Sequence, residues 1–163
     1  MHIKIFTTGG TIDKVYFDAK SQFQVGDPQI GEVLQGANVT IDYDITPLMR
    51  KDSLEMTDED RRSIHDAIAA AGCKRIVITH GTDTMTTTAR ALQDIPDKTI
   101  VFTGSMQPAR FRTTDAIYNI ASAMTAAQLL PPGVYIAMNG QVFEADKARK
   151  NVAENRFELL ETS

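Results

Sequence analysis

Two threonine-glycine runs hold the side chains best suited to chemistry in this 163-residue chain. They are Thr7-Thr8-Gly9-Gly10-Thr11-Ile12 and Thr79-His80-Gly81-Thr82-Asp83-Thr84-Met85. Each follows a short apolar run that reads as a buried strand, so each sets hydroxyls just past a strand's carboxyl end. That is where open parallel α/β sheets build ligand sites. A threonine hydroxyl is a weak nucleophile near neutral pH and needs a base or a proton relay. Two threonines so placed, with Asp83 beside one, point to nucleophilic catalysis on a small polar substrate.

Two further strand ends carry small or polar residues, Thr103-Gly104-Ser105-Met106-Gln107 and Asn139-Gly140. With parallel strands all four ends share one rim. Glycines there let a ligand approach the backbone, and N–H groups at the following helix starts can hold an anion. Gly9-Gly10-Thr11-Ile12-Asp13-Lys14 is neither a phosphate-binding P-loop nor a dinucleotide fingerprint, because it lacks the required glycine spacing. Threonine and glycine at strand ends also serve simply as turn formers and helix caps, and Thr82 by itself has that alternative. His80 reads as a packed, hydrogen-bonded residue in preference to a general base. Met49, Met56 and Met85 read as packing residues, not ligands.

The elements that must position these residues follow from periodicity. Ile3–Phe6 is a first strand. Residues 12–27 have no clean period and read as a loop or hairpin. Residues 28–35 form a short helix, with Asp27 expected as N-cap and Pro28 at its first position. Residues 39–45 alternate apolar with polar, the pattern of a half-buried edge strand. Thr57 and Asp60 form a capping box with Asp in place of Glu. The helix behind it shows Ile64, Ala67, Ile68 and Ala71 at helical spacing and ends at Gly72. Residues 75–79, 99–103 and 133–138 are continuous apolar strands, expected to be covered on both faces. Helices fill 84–93 and 114–130, the second with Ile117, Ile120, Ala121 and Met124 on one face and Pro131-Pro132 as its stop. Residues 144–163 are charged and read as a terminal helix or an arm onto a neighbour. Alternating strands and helices predict an α/β three-layer sandwich with a mainly parallel sheet.

Composition narrows the function classes. The net charge is −4, with 42% hydrophobic and 23% charged residues, an ordinary globular balance without the basic footprint of a nucleic-acid binder. No apolar run reaches the roughly 20 residues that span a bilayer, and no signal-peptide pattern opens the chain, so no membrane role and a cytoplasmic location are expected. The single cysteine, Cys73, excludes an intrachain disulfide and reads as a buried inert thiol. It and three scattered histidines do not compose a zinc site, so no metal or cofactor is expected.

These motifs resemble those of the bacterial-type L-asparaginase family. Thr8-Gly9-Gly10-Thr11-Ile12 and Thr79 to Met85 look like its two signatures. Val101 to Pro108 resembles its third strand-end segment, and Asp115-Ala116-Ile117-Tyr118-Asn119-Ile120 the helix that follows. The likeness runs from residue 3 to about residue 151. It implies a Rossmann-like, flavodoxin-like N-terminal asparaginase domain over residues 1–163, with the C-terminal domain of longer relatives absent. It also implies hydrolysis of L-asparagine to L-aspartate and ammonia without a cofactor. By resemblance, Thr11 matches the nucleophile and Tyr16 the tyrosine that hydrogen-bonds to it. Thr82, Asp83 and Lys150 match a threonine activated through a lysine, with Lys147 a rival for the lysine. Asp83 would also pair with the substrate's α-ammonium, and Ser53 would hold its α-carboxylate. Gly10, Gly81, Leu54 and Ser105 complete the expected substrate contacts.

Two departures from the family pattern matter. Longer members draw a carboxylate from a partner's C-terminal domain. In its place Glu144, Glu154 and Glu158 are the acids on offer from a neighbouring subunit of an expected homo-oligomer, a dimer or tetramer. Leu54 stands where longer relatives carry a substrate-binding glutamine, which loosens specificity. Arg110, Arg112 and Asp115 are expected to hold the rim or a subunit contact through ion pairs. Two other functions stay open: an asparaginase-like component of a tRNA-dependent amidotransferase, and a non-catalytic amino-acid binding module.

Overall fold

A computed structural model describes residues 1–161. Its centre is a six-stranded sheet in the order β4-β1-β5-β6-β7-β8. The strands are β1 (His2–Gly9), β4 (Asp42–Lys51), β5 (Arg75–Thr79), β6 (Thr99–Thr103), β7 (Gly133–Met138) and β8 (Gln141–Glu144). The first five run parallel and β8 returns antiparallel to β7. Two small hairpins stand outside this sheet, β2 (Lys14–Phe17) with β3 (Gln22–Val25), and β9 (Ala148–Asn151) with β10 (Arg156–Leu159).

Residue alternation along the strands splits the core in two. Phe6, Ile76, Ile78, Ile100, Phe102 and Ile136 face α2 (Asp58–Ala70) and α3 (Met85–Arg90). Ile3, Ile5, Val77, Val101 and Ala137 face α1 (Ile30–Gly36) and α4 (Ala116–Leu129). A sheet covered on both sides selects uninterrupted apolar strands, and every residue of β6 is buried. The three-layer α/β architecture expected from the sequence is the observed one. The Thr57–Asp60 capping box closes from both sides, a device that stabilises a helix start by about 1 kcal/mol.

Several expected boundaries move. Strand β4 occupies the sheet edge as anticipated but starts at Asp42 and continues to Lys51. It follows β1 residue for residue until the register shifts between Thr7 and Gly9, after which Gly9 lies opposite Lys51 and Gly10 N–H donates to Lys51 O at 2.9 Å. Pro47 is tolerated because an edge strand needs only one ladder. The extension carries Ser53 up to the rim.

Helix α1 begins at Ile30 behind Gln29, without a side-chain cap. Asp27 is not its N-cap: its carboxylate pairs with Arg50 at 2.5 Å, and Gln29 N–H goes to Asp13. On α4 the buried stripe is Ala116, Asn119, Ile120, Ala123, Met124 and Ala127. Small residues at these positions let the helix sit close on the sheet, which rotates Ile117 and Ala121 outward to solvent. Residues 144–161 form β9 and β10, not a helix; residues 162–163 of that expected segment lie outside the described residues. Cys73 is only partly buried and donates to the carbonyls of His2 and Arg75.

Candidate active site

Three backbone segments meet at the carboxyl ends of β1, β4 and β5. Gly10 has φ +90°, and a Cβ there would lie 2.5 Å from the Gly81 backbone. A Cβ on Gly81 would in turn lie 2.7 Å from the Ser53 side chain. Only glycine permits this stacking, and Gly10 also needs a φ that other residues rarely adopt. The consequence is positional: the loops bearing Thr11, Thr82-Asp83 and Ser53-Leu54 are in direct contact.

Thr11 opens a short 3-10 turn, Thr11–Asp13, just past the end of β1, and is half-buried. Thr82 is nearly buried and is not a helix cap, since Thr84 occupies that position in α3. Thr84 serves the neighbouring loop instead. Its hydroxyl donates to Ser53 O at 2.8 Å and its N–H to Ser53 Oγ at 3.3 Å. Ser53 is thus buried as an acceptor and keeps its own hydroxyl proton to give. Leu54 beside it is strongly exposed.

Lys150 completes the group from 68 residues away. Its Nζ donates to Thr82 Oγ1 and to Asp83 Oδ1, both at 2.8 Å. Lys150 lies on β9, whose hairpin is pinned at three points. Arg90 donates to Ala148 O at 3.0 Å, Phe157 N–H to Asn139 Oδ1 at 2.7 Å, and the Phe157 ring is buried in the core. The rival lysine is elsewhere: Lys147 is exposed and pairs with Glu144 at 2.6 Å, which holds its pKa above the ordinary value.

His80 supports the second loop from beneath. Its Nδ1 lies 2.7 Å from Gly81 O, an acceptor only, so Nδ1 carries the proton. Nε2 then accepts from Thr88 Oγ1 at 2.8 Å, and Thr88 Oγ1 accepts from Arg61 Nε at 3.1 Å. Complete burial pushes the imidazole down to about 4, and Arg61 adds to that; the bond to Gly81 opposes it. The neutral ring is a structural strut. The folded state binds this proton more weakly than the unfolded chain, so its stabilising effect is full above about pH 6.5 and is lost as pH falls toward 4. His80→Ala is therefore expected to lower unfolding free energy at pH 7 by about 2–4 kcal/mol, through a cavity and an unpaired Gly81 carbonyl. Urea titration at pH 7 checks this, and a change below about 0.5 kcal/mol would contradict the strut.

The other expected residues separate. Tyr16 lies on β2, half exposed, with its ring edge-on to Phe23 at 5.5 Å; no hydrogen bond joins it to Thr11. Ser105 is buried and its hydroxyl donates to Gln107 O within its own loop. Arg110 does not form the expected ion pair: its Nε donates to the neutral Gln29 Oε1 at 2.8 Å. Asp115 accepts the N–H groups of Met106 and Gln107 and so shapes the third loop. Glu144 and Glu158 are paired within the chain, with Lys147 and Arg149. Met56 and Met85 are core residues, as expected. Asn139 was expected only as part of the rim, whereas it anchors the lysine's hairpin, and the burial of Asp13, which is 2% exposed, was not expected. An asparagine at the end of a strand, just before a glycine, was the one signal for the former.

The comparisons agree with this fold. A family profile described as "Asparaginase, N-terminal" matches residues 2–160. The glutaminase-asparaginase of Acinetobacter glutaminasificans is 30% identical over 169 residues, covering 93% of this chain and 50% of that protein. The L-asparaginase of Thermococcus kodakarensis is also 30% identical, over 98% of this chain and 51% of its own length. Among solved structures, the thermostable L-asparaginase from T. kodakarensis superposes with a TM-score of 0.87 at 28% identity, covering 100% of this chain and 52% of that one. L-asparaginase I from Vibrio cholerae gives 0.86 at 28% identity, over 99% and 52%. The sheet and its covering helices form an α/β domain of the kind this profile describes. The chain belongs to the asparaginase family, through its N-terminal domain, and spans about half the length of the relatives it matches.

Proposed function

We propose that the chain hydrolyses L-asparagine to L-aspartate and ammonia through a covalent acyl-threonine. The observation that carries this reading is Lys150 Nζ bridging Thr82 Oγ1 and Asp83 Oδ1 at 2.8 Å each, in contact with the Thr11 loop. Thr11 Oγ1 attacks the side-chain amide carbon, and its proton passes to the amide nitrogen as the new C–O bond forms. Backbone N–H groups at the glycine-lined rim stabilise the oxyanion, where one lost donor typically costs about 10²–10³ in rate. The C–N bond then breaks and the departing nitrogen leaves as ammonia. Water cleaves the resulting ester, with Thr82 and Lys150 relaying its proton, and releases L-aspartate and Thr11.

Ground-state binding uses the remaining groups. Asp83 spends Oδ1 on Lys150 and has Oδ2 for the α-ammonium. Ser53 donates its hydroxyl to the α-carboxylate, and Gly10, Gly81 and Leu54 form the walls. Tyr16 packs on Phe23 and makes no hydrogen bond to Thr11, so its assistance requires it to move. Residues 1–163 act in this reading as one N-terminal-type catalytic domain working in the cytoplasm as a homo-oligomer. Among the described residues no helix is long and apolar enough to cross a membrane.

The test is ammonia release from L-asparagine by the purified chain, with L-glutamine alongside, since one relative is named a glutaminase-asparaginase. Turnover of asparagine supports the proposal, and none of either substrate by the folded protein overturns it. A second reading, an ammonia-supplying component of an amidotransferase, is favoured by one local likeness. A glutamyl-tRNA(Gln) amidotransferase chain of Methanococcus vannielii is 41% identical over 73 residues, 44% of this chain and 17% of its own length. Turnover that appears only with a charged tRNA and a partner protein would favour it.

A further inference from the structure

Asp115 stands at the N-cap position of α4, where an aspartate ordinarily accepts the free N–H groups of the first turn. Its carboxylate does not cap the helix, and Thr114 Oγ1 takes the Ala116 N–H at 3.0 Å. The carboxylate turns back to the loop that follows β6, residues 104–114. There it accepts Met106 N–H at 2.9 Å and Gln107 N–H at 3.0 Å. The buried Asn119 fixes it from the helix, with Nδ2 donating to Asp115 Oδ2 at 3.0 Å and to Gly104 O at 2.9 Å. Gln107 O collects the hydroxyls of Ser105 and Thr114. A capping residue is thus diverted to order a loop, and Ser105, expected to meet the substrate, is held inside that loop.

The outer edge of the loop meets the segment around Thr11 at three points. Ala109 N–H donates to Ile12 O at 3.0 Å, one residue past Thr11. Arg110 Nε donates to Gln29 Oε1 at 2.8 Å, and Gln29 N–H donates to Asp13 Oδ1 at 2.9 Å. The Phe111 ring stands edge-on to Phe23 of β3 with centroids 5.5 Å apart, and Phe23 packs on Tyr16. Among the described residues, hairpin β2–β3 shares no ladder with the main sheet, so contacts of this kind hold it in place.

We propose that Asp115 is a positioning residue for Thr11: by ordering loop 104–114 it holds Ala109, Arg110 and Phe111 where they clamp the Thr11 turn and hairpin β2–β3. The kinetic part rests on Thr11 being the nucleophile; the clamp itself does not. Thr11 sits on a turn of only three residues, and a misplacement of about 1 Å can cost about 10²-fold in rate. A carboxylate suits the anchor, because N–H bonds to it are stronger than those to a neutral oxygen. One such side chain also reaches two successive amides of the loop.

Amide hydrogen exchange followed by NMR reads the clamp at Ala109 and Gly26, whose N–H groups donate to Ile12 O and Asp13 O. Asp115→Ala should speed exchange at both by about tenfold or more beyond any change in the amides of β6, which report global stability. Asp115→Asn keeps one acceptor oxygen for the two loop amides, so its exchange should fall between the wild type and Asp115→Ala. In turnover of asparagine, Asp115→Ala should lose about 10- to 100-fold in kcat with KM within about threefold, because Ser53 and Asp83 bind the substrate from other loops. A merely structural role would speed all these amides by one factor and leave that split absent. Unchanged exchange at Ala109 in Asp115→Ala, or a rise there matched by β6, overturns the clamp. A raised Ala109 exchange with kcat within about twofold of wild type overturns the positioning of Thr11. Should the wild-type chain release no ammonia, the proposed reaction fails and the exchange rates still decide the clamp. Should Asp115→Ala fail to fold, Asp115→Asn carries the test: faster exchange at Ala109 than β6 accounts for supports the proposal, and its absence overturns it.

Discussion

A Lys150→Met chain should fold and lose about 10³-fold in kcat for asparagine hydrolysis. Methionine reproduces most of the lysine stem, so the packing of β9 survives. What disappears is the one cation joining Thr82 Oγ1 to Asp83 Oδ1. Asp83 is 40% exposed in its side chain and can turn to water, so its lost partner costs little stability. Thr82 has no comparable substitute. Lys150→Arg should fail nearly as badly, because a guanidinium neither releases its proton at working pH nor matches the ammonium's compact geometry. Steady-state kinetics with a thermal melt beside it decides the matter. A kcat within about threefold of wild type in a folded Lys150→Met chain would remove the relay from the mechanism.

Thr11→Ala is the second large effect. The expectation is a fall of about 10³-fold or more in kcat with little change in asparagine affinity, since Ser53 and Asp83 remain in place to bind the substrate. The two threonines are distinguished by their surroundings. Thr82 is held by Lys150, whereas Thr11 sits at the rim on a short turn whose preceding residue has a left-handed φ. A hydroxyl tied to an ammonium suits proton transfer, and one presented at the rim suits attack. Acid quenching during turnover and mass analysis of the threonine peptides tests the division. An acyl group on Thr82, or near-normal turnover by Thr11→Ala, would exchange the roles.

Much of this architecture was legible in the sequence because parallel strands covered on both faces write themselves as apolar runs. β5, β6 and β7 appear within a residue of their expected limits, and the capping box of α2 closes as its residues require. The errors have physical causes. Asp27-Pro28 has the composition of a helix start, but Arg50 takes the aspartate and Asp13 takes the Gln29 amide, two partners from distant segments. Ile117 has the right spacing for a core face, but alanines at Ala116, Ala123 and Ala127 bring the helix close to the sheet and turn the isoleucine out. The run Arg156-Phe157-Glu158-Leu159 alternates polar with apolar and could have marked a strand before the charged flanks suggested a helix. Of the site, the glycine-threonine loops were readable locally. The choice of Lys150 over Lys147 rested on family likeness alone, since 68 residues separate it from Thr82. Asp13 gave no signal, because burial of an acid is decided by the whole fold.

The distant origin of Lys150 also orders the birth of the site. A ribosome delivers Thr11, Ser53, Thr82 and Asp83 well before it delivers β9 and β10. The sheet can be complete through β7 while the threonine of the second loop still lacks its ammonium. Contacts of long sequence separation close late and slowly, and this one closes only when the β9–β10 hairpin seats on Asn139 and Arg90. A nascent chain would therefore carry a shaped pocket whose second-loop threonine lacks its ammonium until that hairpin forms.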